Sequence, residues 1–251
     1  MRIEYPAKAQ IPALKQLWKD SFHDTDAFIE DFFSAGFLFD HCRCVISGGV
    51  LCAALYWFDC EQTGVRLAYL YAVATAADFR GRGICRSLLE DTRKLLQEKG
   101  YGGILLVPGD EGLARMYEKL GFAPCTGFDL LTCEAGEAPV TLREVSGEAY
   151  GRLRRAYLPT GGVVQEGRNL EFLERQAALY AGADFILAAQ RKENRLTGLE
   201  LLGKRTAAPG ILNALGCAEG SFRVPGTENP FAMYLPLREG SAPTYFGLAF
   251  D

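Results

Sequence analysis

The residues best suited to chemistry in this 251-residue chain cluster in one short loop, Arg80-Gly81-Arg82-Gly83, which runs on into Ile84, Cys85 and Arg86. Two glycines let a backbone approach a ligand closely, and the first N–H groups of a following helix point outward unpaired. A helix start of that kind is a ready anion site. Arg80, Arg82 and Arg86 add three cations, more than a structural turn needs. Glycines alone would mark any tight turn. Glycines with arginines, between a strand and a helix, point to phosphate binding.

A second candidate is Tyr117, in the stretch Ala114-Arg-Met-Tyr117-Glu-Lys-Leu-Gly121-Phe122. A phenol titrates near about pKa 10, so a positioned tyrosine can act as a proton donor near neutrality. The competing role for Tyr117 is packing, because Leu113, Met116 and Leu120 share its helical stripe.

Val73-Ala74-Thr75, followed by Arg80-Gly-Arg-Gly-Ile-Cys85, resembles the acyl-CoA-binding motif of the GNAT superfamily of N-acetyltransferases, Arg/Gln-x-x-Gly-x-Gly/Ala. Arg80 and Gly83 match that pattern. Cys85 stands where glycine or alanine is usual, a mild departure because cysteine is small and buries well. The helix that carries Tyr117 and ends in Gly121-Phe122 resembles the family's second motif. Together the motifs cover roughly residues 1–135.

The resemblance implies acetyl-CoA as co-substrate. Residues Arg80 to Arg86 would hold its pyrophosphate. Ala72 to Thr75 would pair their backbone with the pantetheine amides as a neighbouring strand does, with one N–H of Val73–Thr75 near the thioester carbonyl. Tyr117 would be the acid. The implied reaction is direct attack of a primary amine on the thioester, through a tetrahedral intermediate. Many relatives place a carboxylate on the strand before the loop, but here Arg66-Leu-Ala-Tyr-Leu-Tyr-Ala72 has none. Asp59 and Glu61, at the neighbouring strand's end, are either bases acting through water or plain solvated acids. Tyr69 and Tyr71 share a strand face and line either the acceptor site or the core. With only His23 and His41 available, histidine catalysis is not expected.

These groups need elements to position them. Arg2 to Tyr5 reads as a short strand. Ile11, Leu14, Leu17 and Trp18 give a helical stripe with Pro12 in its first turn. Phe28, Ile29, Phe32 and Phe33 mark a second helix capped at Asp24 or Thr25; these aromatics either line a pocket or fill the core. Cys42–Ile46 and Val50–Phe58 form a hairpin around Ser47-Gly48-Gly49. Arg66–Thr75 is a strand, residues 84 to 99 an amphipathic helix, and Ile104–Val107 a strand parallel to 67–75. A helix from about Glu111 carries Tyr117.

Thr132 to Pro139 reads as a linker, dividing residues 1–135 from a second α/β unit over 140–251. That unit should begin with a strand at Val140–Val145. Two helices follow, marked by Leu153 and Tyr157 and by Leu170 to Leu179. Strands are expected over Phe185–Gln190, Leu196–Leu202, Phe231–Leu237 and Thr244–Phe250, with a short helix near Ile211–Leu215. Val107-Pro-Gly-Asp-Glu111 … Met116-Tyr117 recurs as Val224-Pro-Gly-Thr-Glu228 … Met233-Tyr234 at a constant offset, from a decayed duplication or by chance. Pro230 and Pro236 forbid a regular helix in the second copy. The expected fold class is α/β: an acyl-CoA N-acyltransferase fold with a mixed sheet, then a smaller, degenerate GNAT-like domain. No Arg-Gly-x-Gly counterpart follows Leu202, so one cofactor site is expected.

Composition narrows the function further. Apolar residues at 49% support a sizeable core, while charged residues at 23% and a net charge of −4 argue against general nucleic-acid binding. No signal peptide and no membrane span are expected. Eight cysteines without a secretory signal suit reduced thiols in the cytoplasm. His41-Cys42-Arg43-Cys44 has no second ligand pair at finger-like spacing, so buried thiols and no metal are expected. Two function classes remain: an N-acetyltransferase acting on a small-molecule or peptide amine, and a non-catalytic acyl-CoA sensor.

Overall fold

The computed structural model describes residues 1–250. Its first half runs β1 (Arg2–Glu4), α1 (Ile11–Phe22), α2 (Asp26–Asp31), β2 (Cys42–Ser47), β3 (Val50–Gln62) and β4 (Val65–Thr75). It continues through α3 (Ile84–Glu98), β5 (Gly103–Leu106), α4 (Glu111–Glu118), β6 (Ala123–Pro124) and β7 (Gly127–Glu134). The second half runs β8 (Leu142–Glu144), α5 (Gly147–Tyr157), β9 (Val164–Gln165), α6 (Arg168–Gln176), β10 (Ala178–Gly182), β11 (Phe185–Lys192) and β12 (Arg195–Gly203). It ends with α7 (Ala208–Ala214), β13 (Glu219–Gly226), β14 (Asn229–Pro230) and β15 (Met233–Pro236).

Local chemistry sets the boundaries that matter for the site. Pro12 lies in the first turn of α1, where its missing N–H costs no helical bond. Thr25 caps α2 by accepting from the Phe28 N–H at 3.2 Å, and Asp110 caps α4 by accepting from the Leu113 N–H at 2.7 Å. In α3, Ile84, Leu88, Leu89 and Leu96 are buried as one stripe against the sheet.

The first sheet has strand order β1-β2-β3-β4-β5-β15-β6, with β9 against β3; the second has β14-β7-β13-β12-β11-β10-β8. β4 and β5 are parallel, as the crossover through α3 requires, and so are β12 and β13 across α7. The series β1-α1-α2-β2-β3-β4-α3-β5 recurs as β8-α5-α6-β10-β11-β12-α7-β13, with the strands in the same order across the sheet. The fold is thus a mixed α/β arrangement built twice.

The halves are not divided at the expected linker. β7, which includes Thr132–Glu134, lies in the second sheet between β13 and β14. β15 lies in the first sheet between β5 and β6. Each half therefore lends one strand to the other, and a cut between 1–135 and 140–251 crosses both sheets. Hydrophobic periodicity marks a strand but not its partner, which is why the exchange escapes the sequence.

Two more expectations change. Leu179 lies on β10 rather than on a helix. Residues 244–250 form no strand; their one ladder contact is a single parallel bridge between Gly162 and Tyr245. The segment lies between two cores instead. Phe246 and Ala249 pack with Trp18, Phe58 and Tyr69, whereas Tyr245 and Leu248 pack with Tyr150 and Leu173. The repeated Met-Tyr pair also splits, since Met116 and Tyr117 are on α4 but Met233 and Tyr234 on β15.

Candidate active site

Register decides where the site opens. β3 and β4 pair through Ala54–Ala74 and Tyr56–Tyr71, so Ala72 and Val73 stand opposite Leu55 alone. This bulge turns the strand, and Ala72 adopts φ +47°, a conformation alanine rarely takes. On its other edge β4 pairs with β5 only from Leu67 to Tyr69. Beyond that point the strands part, and the β4 edge up to Thr75 faces a wedge.

The glycine loop closes the wide end. Gly81 and Gly83 take φ +73° and +74°, and a Cβ on either would meet nothing within 4 Å. Their requirement is therefore backbone conformation rather than space. α3 starts at Gly83 without a side-chain cap, so its first N–H groups remain available. Arg80 Nε donates back to the Thr75 carbonyl at 2.9 Å, bracing loop against strand.

Val73, Ala74, Thr75, Arg80, Gly81, Gly83, Ile84, Cys85 and Arg86 all line one cleft of about 660 Å³. Arg82 does not; its guanidinium lies 5.4 Å from the ring centre of Phe79, which does line the cleft. Tyr117 reaches the same cleft from α4.

A second cavity of about 530 Å³ lies on the other side of the wedge, between α1, β4, the end of β5 and residues 249–250. Phe22, Val73, Leu113 and Tyr117 line both spaces. The Tyr117 ring is 6% exposed and packs edge-on against Phe122 at 5.6 Å. Among the described residues no protein group bonds to its hydroxyl. Burial, with the Cys85 thiol nearby, pushes its pKa up, so the phenol keeps its proton through the neutral range.

The two carboxylates weighed as bases or as solvated acids, Asp59 and Glu61, are elsewhere. Asp59 accepts from the Tyr101 hydroxyl at 2.5 Å and from Arg66 Nη2 at 2.6 Å, and Glu61 faces a separate groove with Arg155 and Glu166. Neither lines the space beside Tyr117. Two carboxylates share a space with Tyr117: Asp110 in the first cleft, where it caps α4, and Asp24 in the second, where it also accepts from Trp18 Nε1 at 2.8 Å. Sequence reasoning offered Thr25 or Asp24 as the cap of α2; Thr25 fills that role, and Asp24 faces the cavity. Its one linear signal was position, six residues beyond an indole and directly between two aromatic helices.

Tyr69 and Tyr71 belong to the core under α1 and also line the second cavity. His23 ends α1 with φ +60°, and His41 stacks on Trp57 at 5.2 Å; neither lines either space. Cys42 and Cys44 are buried on one face of β2. Among the described residues no three His, Cys, Asp or Glu side chains group as metal ligands.

Residues 2–125 match the model of the acetyltransferase (GNAT) domain. The first half of the chain is a GNAT domain. No curated protein matches the sequence. Among solved structures, a GCN5-related N-acetyltransferase from Anabaena variabilis superposes with a TM-score of 0.75 at 14% identity, covering 94% of this chain and 73% of that one. One from Kribbella flavida gives 0.70 at 18%, covering 93% and 70%. Eis1 from Mycobacterium abscessus gives 0.71 at 11%, covering 94% and 74%. At these identities the likeness is one of fold, and it extends past the GNAT domain over nearly the whole chain. No helix is long and apolar enough to cross a membrane.

Proposed function

We propose that this protein is an N-acetyltransferase that moves an acetyl group from acetyl-CoA to a primary amine. The observation that carries the reading is Tyr117, which borders both spaces where the strands part and, among the described residues, has no protein partner for its hydroxyl. The residues fit the co-substrate: an uncapped helix start with Arg80 and Arg86 for the pyrophosphate, and a free β4 edge for the pantetheine amides. The neutral amine nitrogen bonds to the acetyl carbon, the carbon–sulfur bond breaks, and Tyr117 protonates the leaving thiolate. The proton shed by the new amide nitrogen passes to water, from which the phenolate is reprotonated. A backbone N–H near the bulge at Val73 stabilises the oxyanion formed in between. The eight free cysteines suit a reducing compartment, and the reading puts the protein in the cytoplasm.

Two measurements test it. CoA at a hundred times its Kd should stabilise the fold by about 2.7 kcal/mol, seen as a rise in Tm. With acetyl-CoA and a competent amine, free thiol should appear in proportion to acetylated amine. CoA binding without amine-dependent thiol release would make the protein a sensor; the absence of both would remove the cofactor assignment.

A further inference from the structure

The second cavity has a chemistry the first lacks. Trp18, Phe22, Phe28, Tyr71 and Phe250 present rings to it, and these rings also pack on one another: Trp18 lies 5.4 Å from Tyr71, and Tyr71 lies 5.6 Å from Phe250. Among the described residues that line it, Asp24 is the one formally charged side chain. Its Oδ2 is held by the Trp18 indole at 2.8 Å, and among the described residues its Oδ1 has no hydrogen-bond partner.

We infer that the acceptor is an aralkylamine: a primary amine on an aromatic body, with its single ammonium drawn to Asp24 and its ring among the aromatic walls. The inference rests on the transferase reading and deepens it. One carboxylate balances one ammonium, and ring faces add cation–π attraction. A polyamine would bring further ammonium groups with no described carboxylate to meet them. An aminosugar would lose hydration from many hydroxyls against walls that offer few partners. An amino acid would set its own carboxylate against Asp24 with no cation between. The walls come from distant parts of the chain, since Trp18 and Phe28 flank Asp24 while Phe250 arrives beyond the second half.

The test compares 2-phenylethylamine, spermidine, glucosamine and glycine, first as acceptors with acetyl-CoA and then by calorimetry as ligands of the CoA-loaded protein. Phenylethylamine should exceed each of the others by about tenfold or more in kcat/KM and in affinity. Asp24→Asn can still accept from Trp18 and should raise the KM for phenylethylamine about tenfold while leaving CoA affinity unchanged. Phe250→Ala should weaken phenylethylamine and narrow its lead. Spermidine, glucosamine or glycine equalling phenylethylamine, or Asp24→Asn leaving its KM unchanged, overturns the inference and leaves the transferase intact. Turnover of none of the four, with phenylethylamine still binding tightest, overturns the transferase reading and supports the pocket's selectivity. Equal or absent binding of all four overturns the inference as well.

Discussion

β4 and β12 hold the same place in their sheets, and each bulges against the strand before it. Each is followed within a few residues by an arginine. Arg80 turns back onto the Thr75 carbonyl of its own strand and leaves the gap toward β5 open. Arg205 reaches the other way: it donates to the Pro225 carbonyl on β13 and lies 3.9 Å from Asp129 on β7. The helices differ as well. α3 begins behind two left-handed glycines and keeps its first N–H groups open, whereas α7 is shorter and begins with buried Ala208. One architecture thus yields a binding wedge or a closed core, depending on where one arginine points and whether a glycine loop precedes the helix.

The bulges are used just as differently. In β4 the bulge turns backbone toward the cleft. In β12 it sits beside Glu200, whose buried carboxylate accepts from Arg154 at 2.7 and 2.8 Å and from the hydroxyls of Tyr150 and Tyr245 at 2.9 Å each. Tyr245 belongs to the segment that brings Phe250 to the second cavity. Gln165 holds that segment again, donating to the Leu248 carbonyl at 2.6 Å. The closed half therefore builds one wall of the open half's site.

The sharpest way to break the comparison is through its tyrosines. Tyr117, Tyr150 and Tyr245 are all buried, and burial pushes the pKa of each up. Only Tyr117 borders the clefts, so Tyr117→Phe should lower turnover by about 10²–10⁴-fold while CoA affinity and Tm barely change. Full activity in that variant would return Tyr117 to the core-packing role. Steady-state thiol release, with calorimetry of CoA binding, decides the matter.

The next largest effect should come from the closed half. Glu200→Gln leaves the Arg154 guanidinium buried without its counter-charge, and breaking a pair in this way costs about 3–5 kcal/mol. Denaturant unfolding measures it. A loss below about 1 kcal/mol would mean that Arg154 is solvated in some other way. If the variant folds, the segment that carries Phe250 should loosen too, so acceptor KM should rise more than CoA affinity falls.

Smaller again is the loop itself. Gly83→Ala meets no atom within 4 Å, so its cost is the left-handed backbone alone, about 1–2 kcal/mol. Part of that should emerge as weaker CoA binding as the start of α3 relaxes. An alanine tolerated with unchanged stability and CoA affinity would show that the loop does not need its left-handed turn.

Much of the open half was legible in the sequence because its signals are local. Glycines and the stripe on α3 give the strand–loop–helix unit, and the stripe of Leu113, Met116, Tyr117 and Leu120 gives α4. What escaped depends on distant pairing. β7 and β15 look like any short strand, and nothing in their residues names the sheet they join. Residues 244–250 look extended and apolar, yet their side chains feed two cores instead of a ladder. The surroundings of the carboxylates were hidden for the same reason. Asp59 ends up held by Tyr101 and Arg66 across a register that sequence alone does not set, while Asp24 shares a cavity with Phe250 and Tyr71, neither of which is near it in the chain.

The smallest expected effect lies one residue from the largest ion pair. Arg155, next to Arg154 on α5, meets Glu166 through Nε at 2.5 Å and Nη2 at 2.7 Å, but both side chains are more than two-fifths exposed. The hydrogen bond from Arg155 lowers the Glu166 pKa below its ordinary value of 4.5. A carboxyl with a lowered folded pKa stabilises the fold above its unfolded pKa and loses that contribution as pH falls through the folded one. Glu166→Gln should therefore cost less than about 1 kcal/mol near neutrality, because water screens the pair, and the difference should vanish on acidification below about 4.5. Glu200→Gln should cost several-fold more at neutrality, since its partner arginine is charged and buried. Urea titrations of both variants between pH 7 and pH 4 would separate them. Equal losses at the two sites would mean that the groove holding Arg155, Glu166 and Glu61 is as shielded as the core, and the closed half would then owe its rigidity to charge along all of α5 rather than to the one buried cluster at Glu200.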